Sequence, residues 1–191
     1  TTPQRIDQVQ ATGAKVICYF SAGTYENWRP DRKRFPERVI GEALDDWPGE
    51  RYLDIRHQRV RQIMKQRLNL AVRKGCDAVD PDNVDGYRNR SGFPLKARHQ
   101  LQFNRFLARE AHKRGLAIGL KNDLPQIRQL VKWYDFAVNE QCFQYRECHV
   151  MKPFIAQGKP VLNIEYGPFK QTARRVCPKA TPLGFSTLVK K

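Results

Sequence analysis

The sequence predicts an α/β protein of the (β/α)8, TIM-like barrel class. Three observations carry that expectation. Helical and apolar segments alternate, one glycine punctuation recurs between them, and polar groups stand at the carboxyl end of nearly every apolar run. The punctuation is visible in "QATGAKVICYF", "VRKGCDAVD", "HKRGLAIGL" and "IAQGKPVLNIEY", where a polar helical end meets Gly13, Gly75, Gly115 or Gly158 shortly before an apolar run. A glycine in that place stops a helix, and the run that follows reads as a buried strand.

Taken in order, the first apolar run is "KVICYF", preceded by the helical "PQRIDQVQ". Helical spacing then appears in Val60, Ile63, Met64, Leu68 and Ala71, and again in Leu101, Phe103, Leu107, Ala108 and Ala111. A third helix is predicted from Leu124, Ile127, Leu130 and Val131. Between them lie "AVD", "AIGL", "DFAV" and "VLNI", short and continuously apolar, as parallel strands covered on both faces should be. "RYLDIR" is read as a further strand, and the C-terminal "GFSTLVK" as the last.

At the strand ends stand Ser21, Ala22 and Gly23; Asp54; Asp80, Asp82 and Asn83; Lys121 and Asn122; Asn139 and Glu140; Glu165 and Tyr166. A barrel assembles its site from the carboxyl ends of many strands. An open doubly wound sheet would instead use one switch point with a glycine-rich phosphate loop, and no G-x-G-x-x-G or Walker pattern is present. No linker or low-complexity tract divides residues 1–191, so a single domain is expected.

Composition bounds the partners. A net charge of +16 raises nucleic acid as a candidate, but the basic residues are scattered over amphipathic stretches, with no zinc-finger, RNP-like or helix-turn-helix pattern. No specific nucleic-acid partner is expected. No run of eighteen apolar residues exists to span a membrane. Of five cysteines, Cys18 and Cys76 sit in apolar runs and read as buried thiols, whereas Cys142 and Cys148 bracket "FQYRE" and fit a local disulfide. That pairing would place the chain in an oxidising compartment.

The stretch "GCDAVDPDNVDGY" gathers four carboxylates in nine positions, Asp77, Asp80, Asp82 and Asp85, within a basic chain. Carboxylates at converging strand ends serve a cation or acid/base chemistry. The EF-hand pattern fails, since Val84 and Ser91 fall where ligands are required, and no histidines stand at strand ends for a two-metal site. Neither metal nor cofactor is expected.

Six stretches, "VICYFSAGTYENWRPD", "GEALDDWPGERYLDIR", "DAVDPDNVDGYRNRSGF", "IGLKND", "FAVNEQCFQYREC" and "GKPVLNIEY", together resemble glycoside hydrolase family 114, the endo-α-1,4-polygalactosaminidase-like barrels. They cover nearly the whole chain in order. The resemblance implies a barrel that cuts an α-1,4-linked, galactosamine-containing polysaccharide and is secreted or held at the cell envelope; a monomer is expected. It also implies that the first, tryptophan-rich barrel strand lies outside this sequence, and that Asp80 stands where relatives more often carry Glu.

By that resemblance Asp82 of "PDN" is the nucleophile and Glu140 of "VNEQC" the general acid/base. The residues themselves point the same way, because glycoside hydrolysis needs one ionised carboxylate and one protonated carboxyl. Asp82 lies in a polar turn beside Asn83, whereas Glu140 follows the apolar "DFAV", where desolvation should raise its pKa. Simpler roles fit too. Asp82 equally suits a helix cap or turn, and Glu140 and Glu165 suit ion pairs with the many arginines. Lys121 needs a carboxylate partner if buried, and Asp54 is a candidate for that partner or for a ligand of the substrate amine. Asp80, Asn83, Asn122, Glu165 and Tyr166 are assigned to substrate binding, as is Trp28, which with Tyr25 suits either sugar stacking or loop packing. Two other classes stay open at this level, a non-catalytic carbohydrate-binding barrel and a basic nucleic-acid-binding module.

Overall fold

A computed structural model describes residues 2–191, which divide into two compact units, one ending at Ile118 and one running Gly119–Lys191. The first opens with helix α1 (Pro3–Gln10), started by Pro3 and by the Thr2 hydroxyl accepting the Arg5 N–H. Strand β1 (Ile17–Ser21) pairs in parallel with β5 (Ala78–Asp82), setting Tyr19 opposite Asp80 and Ser21 opposite Asp82. Ala78 and Val79 of β5 in turn face Ala117 and Ile118, the first residues of β6 (Ala117–Lys121).

Helices α2 (Gln58–Lys74) and α3 (Ala97–His112) fill the crossovers. The apolar stripe predicted for α2 is buried at Val60, Ile63, Met64, Leu68 and Ala71. In α3, Phe103, Leu107, Ala108 and Ala111 are likewise buried. All four punctuating glycines have positive φ, between +67° and +85°, and a fifth, Gly184 at +71°, ends the last crossover in the same way. At that backbone conformation an L side chain is strained, which is why glycine recurs.

One sequence expectation is corrected here. "RYLDIR" does not supply a parallel strand. Its residues form β4 (Glu50–Leu53), the centre of a small antiparallel sheet between β2 (Thr24–Glu26) and β3 (Ile40–Ala43). The turn from β3 to β4 is too short for a crossover, so it can only return the chain beside itself. Tyr25, taken as a loop residue, lies in β2 with its ring edge-on to Phe35 at 6.0 Å.

The second unit has a parallel ladder within itself. Gly119, Leu120 and Lys121 of β6 face Phe136, Ala137 and Val138 of β7 (Phe136–Glu140), which pairs with β8 (Val161–Tyr166), which pairs with β9 (Phe185–Lys190). The third predicted helix is a single α-turn, α4 (Ile127–Leu130), between two 3-10 turns. Helices α5 (Lys152–Ala156) and α6 (Phe169–Ala180) complete the crossovers. Parallel strands alternating with helices give the (β/α) repeat, with six parallel strands among the described residues. Among the described residues, no helix is long and apolar enough to cross a membrane.

Two disulfides staple the units internally. Cys142–Cys148 forms as its spacing predicts, with Cα atoms 4.8 Å apart. Cys18 and Cys76, read as thiols, are instead bonded to each other, because β1 and β5 are neighbours and bring the two residues together. Cys177 is a free, exposed thiol.

Candidate active site

The polar residues at the strand ends fall into one group in each unit. In the first, the β1–β5 register sets Asp82 at the end of β5, where Tyr19 of β1 donates its hydroxyl to Oδ2 at 3.1 Å. Burial, then the Asp82 charge, pushes the Tyr19 phenol well above its usual range, so it remains a donor. Oδ1 of Asp82 accepts the backbone N–H of Asn83 at 2.7 Å. Asn83 can offer that N–H because its φ is 58°, a left-handed conformation asparagine tolerates better than most residues.

The Asn83 side-chain amide donates to the Ser21 hydroxyl at 2.9 Å and to the Thr24 hydroxyl at 3.2 Å. Ser21 and Thr24 are hydrogen-bonded to each other, and Thr24 donates to Oε2 of Glu50 at 2.7 Å. Burial raises the Glu50 carboxyl above its ordinary value; the charges of Glu26 and Asp82 add to this, and the Thr24 bond opposes it. Glu26 is held by Arg29 at 2.6 and 3.0 Å. Behind this group the buried Arg67 grips both oxygens of Asp31 at 2.9 Å and donates to the Ser21 carbonyl at 2.6 Å.

Other residues singled out from this half of the sequence stand on or beside β5, β4 and β2. Asp77 belongs to the amino end of β5, where the Val16 N–H, the Gln10 amide and Lys15 hold its carboxyl at about 2. Asp80 is half-buried within β5, opposite Tyr19. Asp54 follows antiparallel β4, and both its oxygens are taken by Arg56 at 2.7 and 2.8 Å. Burial would raise the Asp54 carboxyl, but Arg56 brings it below its ordinary value. Trp28 lies in the turn after β2, 52% exposed.

In the second unit Glu140 ends β7. The ammonium of Lys121, a buried residue ending β6, lies 3.3 Å from Oε2, so Glu140 is a carboxylate partner of the kind a buried Lys121 requires. The Tyr166 hydroxyl, at the end of β8, donates to Oε1 at 2.6 Å, and the Asn122 amide approaches Oε2 at 3.4 Å. Asn122 also accepts the Glu140 N–H at 3.0 Å, fixing the backbone that carries the carboxylate.

These partners correct a second expectation. Burial does push the Glu140 carboxyl up, but Lys121, Tyr166 and Asn122 outweigh it and hold the group below its ordinary value. Apolar neighbours in sequence signalled the desolvation; the cation arrives from the adjacent strand. Glu165 is wholly buried, its Oε1 accepting the Phe143 N–H at 3.0 Å and the Asn163 amide at 3.2 Å. It thereby ties β8 to the disulfide-closed loop after Glu140. Asn139, Asn163 and Thr187 stand in register across β7, β8 and β9, joined side chain to side chain at 3.3 and 3.2 Å.

Sequence reasoning missed Glu26, Glu50, Arg29 and Arg67. A signal for Arg67 existed, since it falls on the apolar stripe of α2 between Met64 and Leu68, where a cation needs buried acceptors.

A family model described as glycoside-hydrolase family GH114 matches residues 1–191. Among solved structures, Ega3 of Aspergillus fumigatus, in complex with galactosamine, is 46% identical and superposes with a TM-score of 0.95 over 100% of this chain and 80% of that one. The glycoside hydrolase domain of PelA from Pseudomonas aeruginosa is 14% identical with a TM-score of 0.75, covering 99% and 83% of the two chains, a likeness of fold. A sequence search of curated proteins gives no significant match.

Proposed function

This chain belongs to glycoside hydrolase family GH114 and is an endo-acting glycosidase of the TIM-like barrel class, and on that premise we propose that it cleaves α-1,4-linked, galactosamine-containing polysaccharide. The observation that carries the substrate is the 46% identity, along the whole chain, to a protein crystallised with galactosamine. Residues 1–191 act as one hydrolase domain and as a monomer, outside the cytoplasm. Two disulfides support that compartment, because such bonds persist where the surroundings are oxidising.

The reaction is a double displacement with retention. Asp82 attacks the anomeric carbon as the glycosidic C–O bond breaks, and Glu140 gives its proton to the departing oxygen. Glu140 then takes a proton from water, which attacks the same carbon and releases Asp82 as a carboxylate. The galactosamine nitrogen is not the nucleophile, since an ammonium has no lone pair.

Support for Asp82 comes from its hydrogen bonds to Tyr19 and the Asn83 N–H, which hold one oxygen each and fix the orientation of the carboxylate. Support for Glu140 comes from its setting among Lys121, Asn122 and Tyr166, which orient both its oxygens. Asn83, Lys121, Asn122 and Tyr166 serve the sugar bound against these groups. Asp80, Asp54 and Trp28 extend the contact to neighbouring sugars, and Glu165 acts from behind by holding the Phe143 backbone. No metal or cofactor takes part in this scheme.

The test is incubation with partly deacetylated galactosaminogalactan. Soluble oligosaccharides should appear, and proton NMR of the first product should give the α-anomer. Asp82→Asn and Glu140→Gln should each lower turnover by about three orders of magnitude or more with KM little changed. A β-anomeric first product would exclude retention, and near-normal turnover in either variant would exclude that residue's role.

A further inference from the structure

We infer that Glu50 is a positioning residue for Asp82, acting through Thr24, Ser21 and Asn83. The inference rests on the reading of Asp82 as nucleophile. Glu50 belongs to β4 and is 6% exposed, well removed from the role its surface-type chemistry would suggest. When ionised its carboxylate only accepts, so the Thr24 hydroxyl proton must point to it at 2.7 Å. The hydrogen bond between the Ser21 and Thr24 hydroxyls must then be donated by Ser21. That leaves the lone pairs of Ser21 Oγ for the Asn83 amide at 2.9 Å and the Thr24 N–H at 3.2 Å. Each proton in the chain therefore has one direction, and the charge of Glu50 sets it.

The far end of the chain is the left-handed Asn83, whose N–H meets Oδ1 of Asp82 at 2.7 Å. The backbone of the same two residues is clamped independently. The Ala22 and Gly23 N–H groups donate to the Asp82 carbonyl at 2.9 and 3.1 Å, and a Cβ on Gly23 would lie 1.7 Å from the Asn83 oxygen. Gly23 thus lets the β1 turn lie against Asn83, and Glu50 fixes the side chain that this contact leaves free to rotate. The antiparallel β2–β4 pair, outside the barrel repeat, acquires a purpose: it carries Thr24 and Glu50 to the end of β5.

Thr24→Val, Thr24→Ser and Glu50→Gln in the full chain test this. Thr24→Val and Glu50→Gln should lower kcat about 10–100-fold with KM within about twofold, while Thr24→Ser, which keeps the hydroxyl, stays near wild type. The double variant Thr24→Val/Glu50→Gln should be no worse than the poorer single one, because both cut one chain. In 15N-resolved NMR the Asn83 amide should move and exchange faster in Thr24→Val. An unmoved Asn83 amide, a rise in KM at constant kcat, or losses that multiply in the double variant would overturn the inference. Activity retained by Asp82→Asn would overturn the nucleophile reading instead, and the Asn83 resonance still reports whether Glu50 holds that residue.

Discussion

Glu140 is held ionised by Lys121, yet the proposed acid step requires its proton. Its folded-state pKa lies below the ordinary value of 4.5, so its pairing contributes stability that is fully present above that value and lost as pH falls through the folded one. Catalysis runs the other way, because the protonated fraction grows on acidification. Activity should therefore rise as pH falls through the weakly acidic range. Lys121→Met removes the opposing charge, lets burial dominate, and should move the alkaline limb of kcat/KM to higher pH. An unmoved limb would exclude Lys121 from setting the protonation of Glu140. Asp82 and Glu140 were both legible as strand-end carboxylates, but the protonation of Glu140 was misread from its own neighbours in sequence. The deciding cation sits one strand away, and strand register is not written in local periodicity.

The parallel strands and helices α2 and α3 were legible because glycine at positive φ and a 3.6-residue stripe are local signals, whereas the third predicted helix proved a single α-turn and α6 was not foreseen. The antiparallel sheet was not, since β2 has three residues and β4 four, too few to separate alternation from chance. Helix α2 shows what such a sheet demands of its surroundings. Its Arg67 is buried against Asp31, Glu26 at 3.7 Å and the Ser21 carbonyl, and lies over the Phe35 ring at 5.5 Å. Arg67→Met should cost about 3–5 kcal/mol, measured by urea unfolding, because it takes from Asp31 the guanidinium that holds both its oxygens, while Glu26 keeps Arg29. A loss below about 1 kcal/mol would mean that water reaches Asp31 once Arg67 is gone.

A molecule of net charge +16 repels a polymer of ammonium groups at long range, while its carboxylates attract at contact. Screening removes the first effect and spares more of the second, so kcat/KM on a deacetylated polymer should rise between about 20 and 200 mM salt. A steady fall would show that contact attraction dominates throughout. The disulfides give a second test at this scale: the unfolded, unreduced chain should titrate with one thiol, that of Cys177, and the reduced chain with all five. By loop length alone, reduction should remove about 4 kcal/mol at Cys18–Cys76, which closes 58 residues, and about 2 kcal/mol at Cys142–Cys148, which closes six. The pairing of Cys18 with Cys76 was illegible because only the adjacency of β1 and β5 brings such distant residues together. The placing of these two bonds also bears on how the protein is made. Their spans neither cross nor nest, so as the chain emerges amino end first, Cys18 meets its partner before Cys142 has been synthesised. Each bond can close in the order of translation without waiting for the next, so oxidation can yield the right pairing with little call on an isomerase.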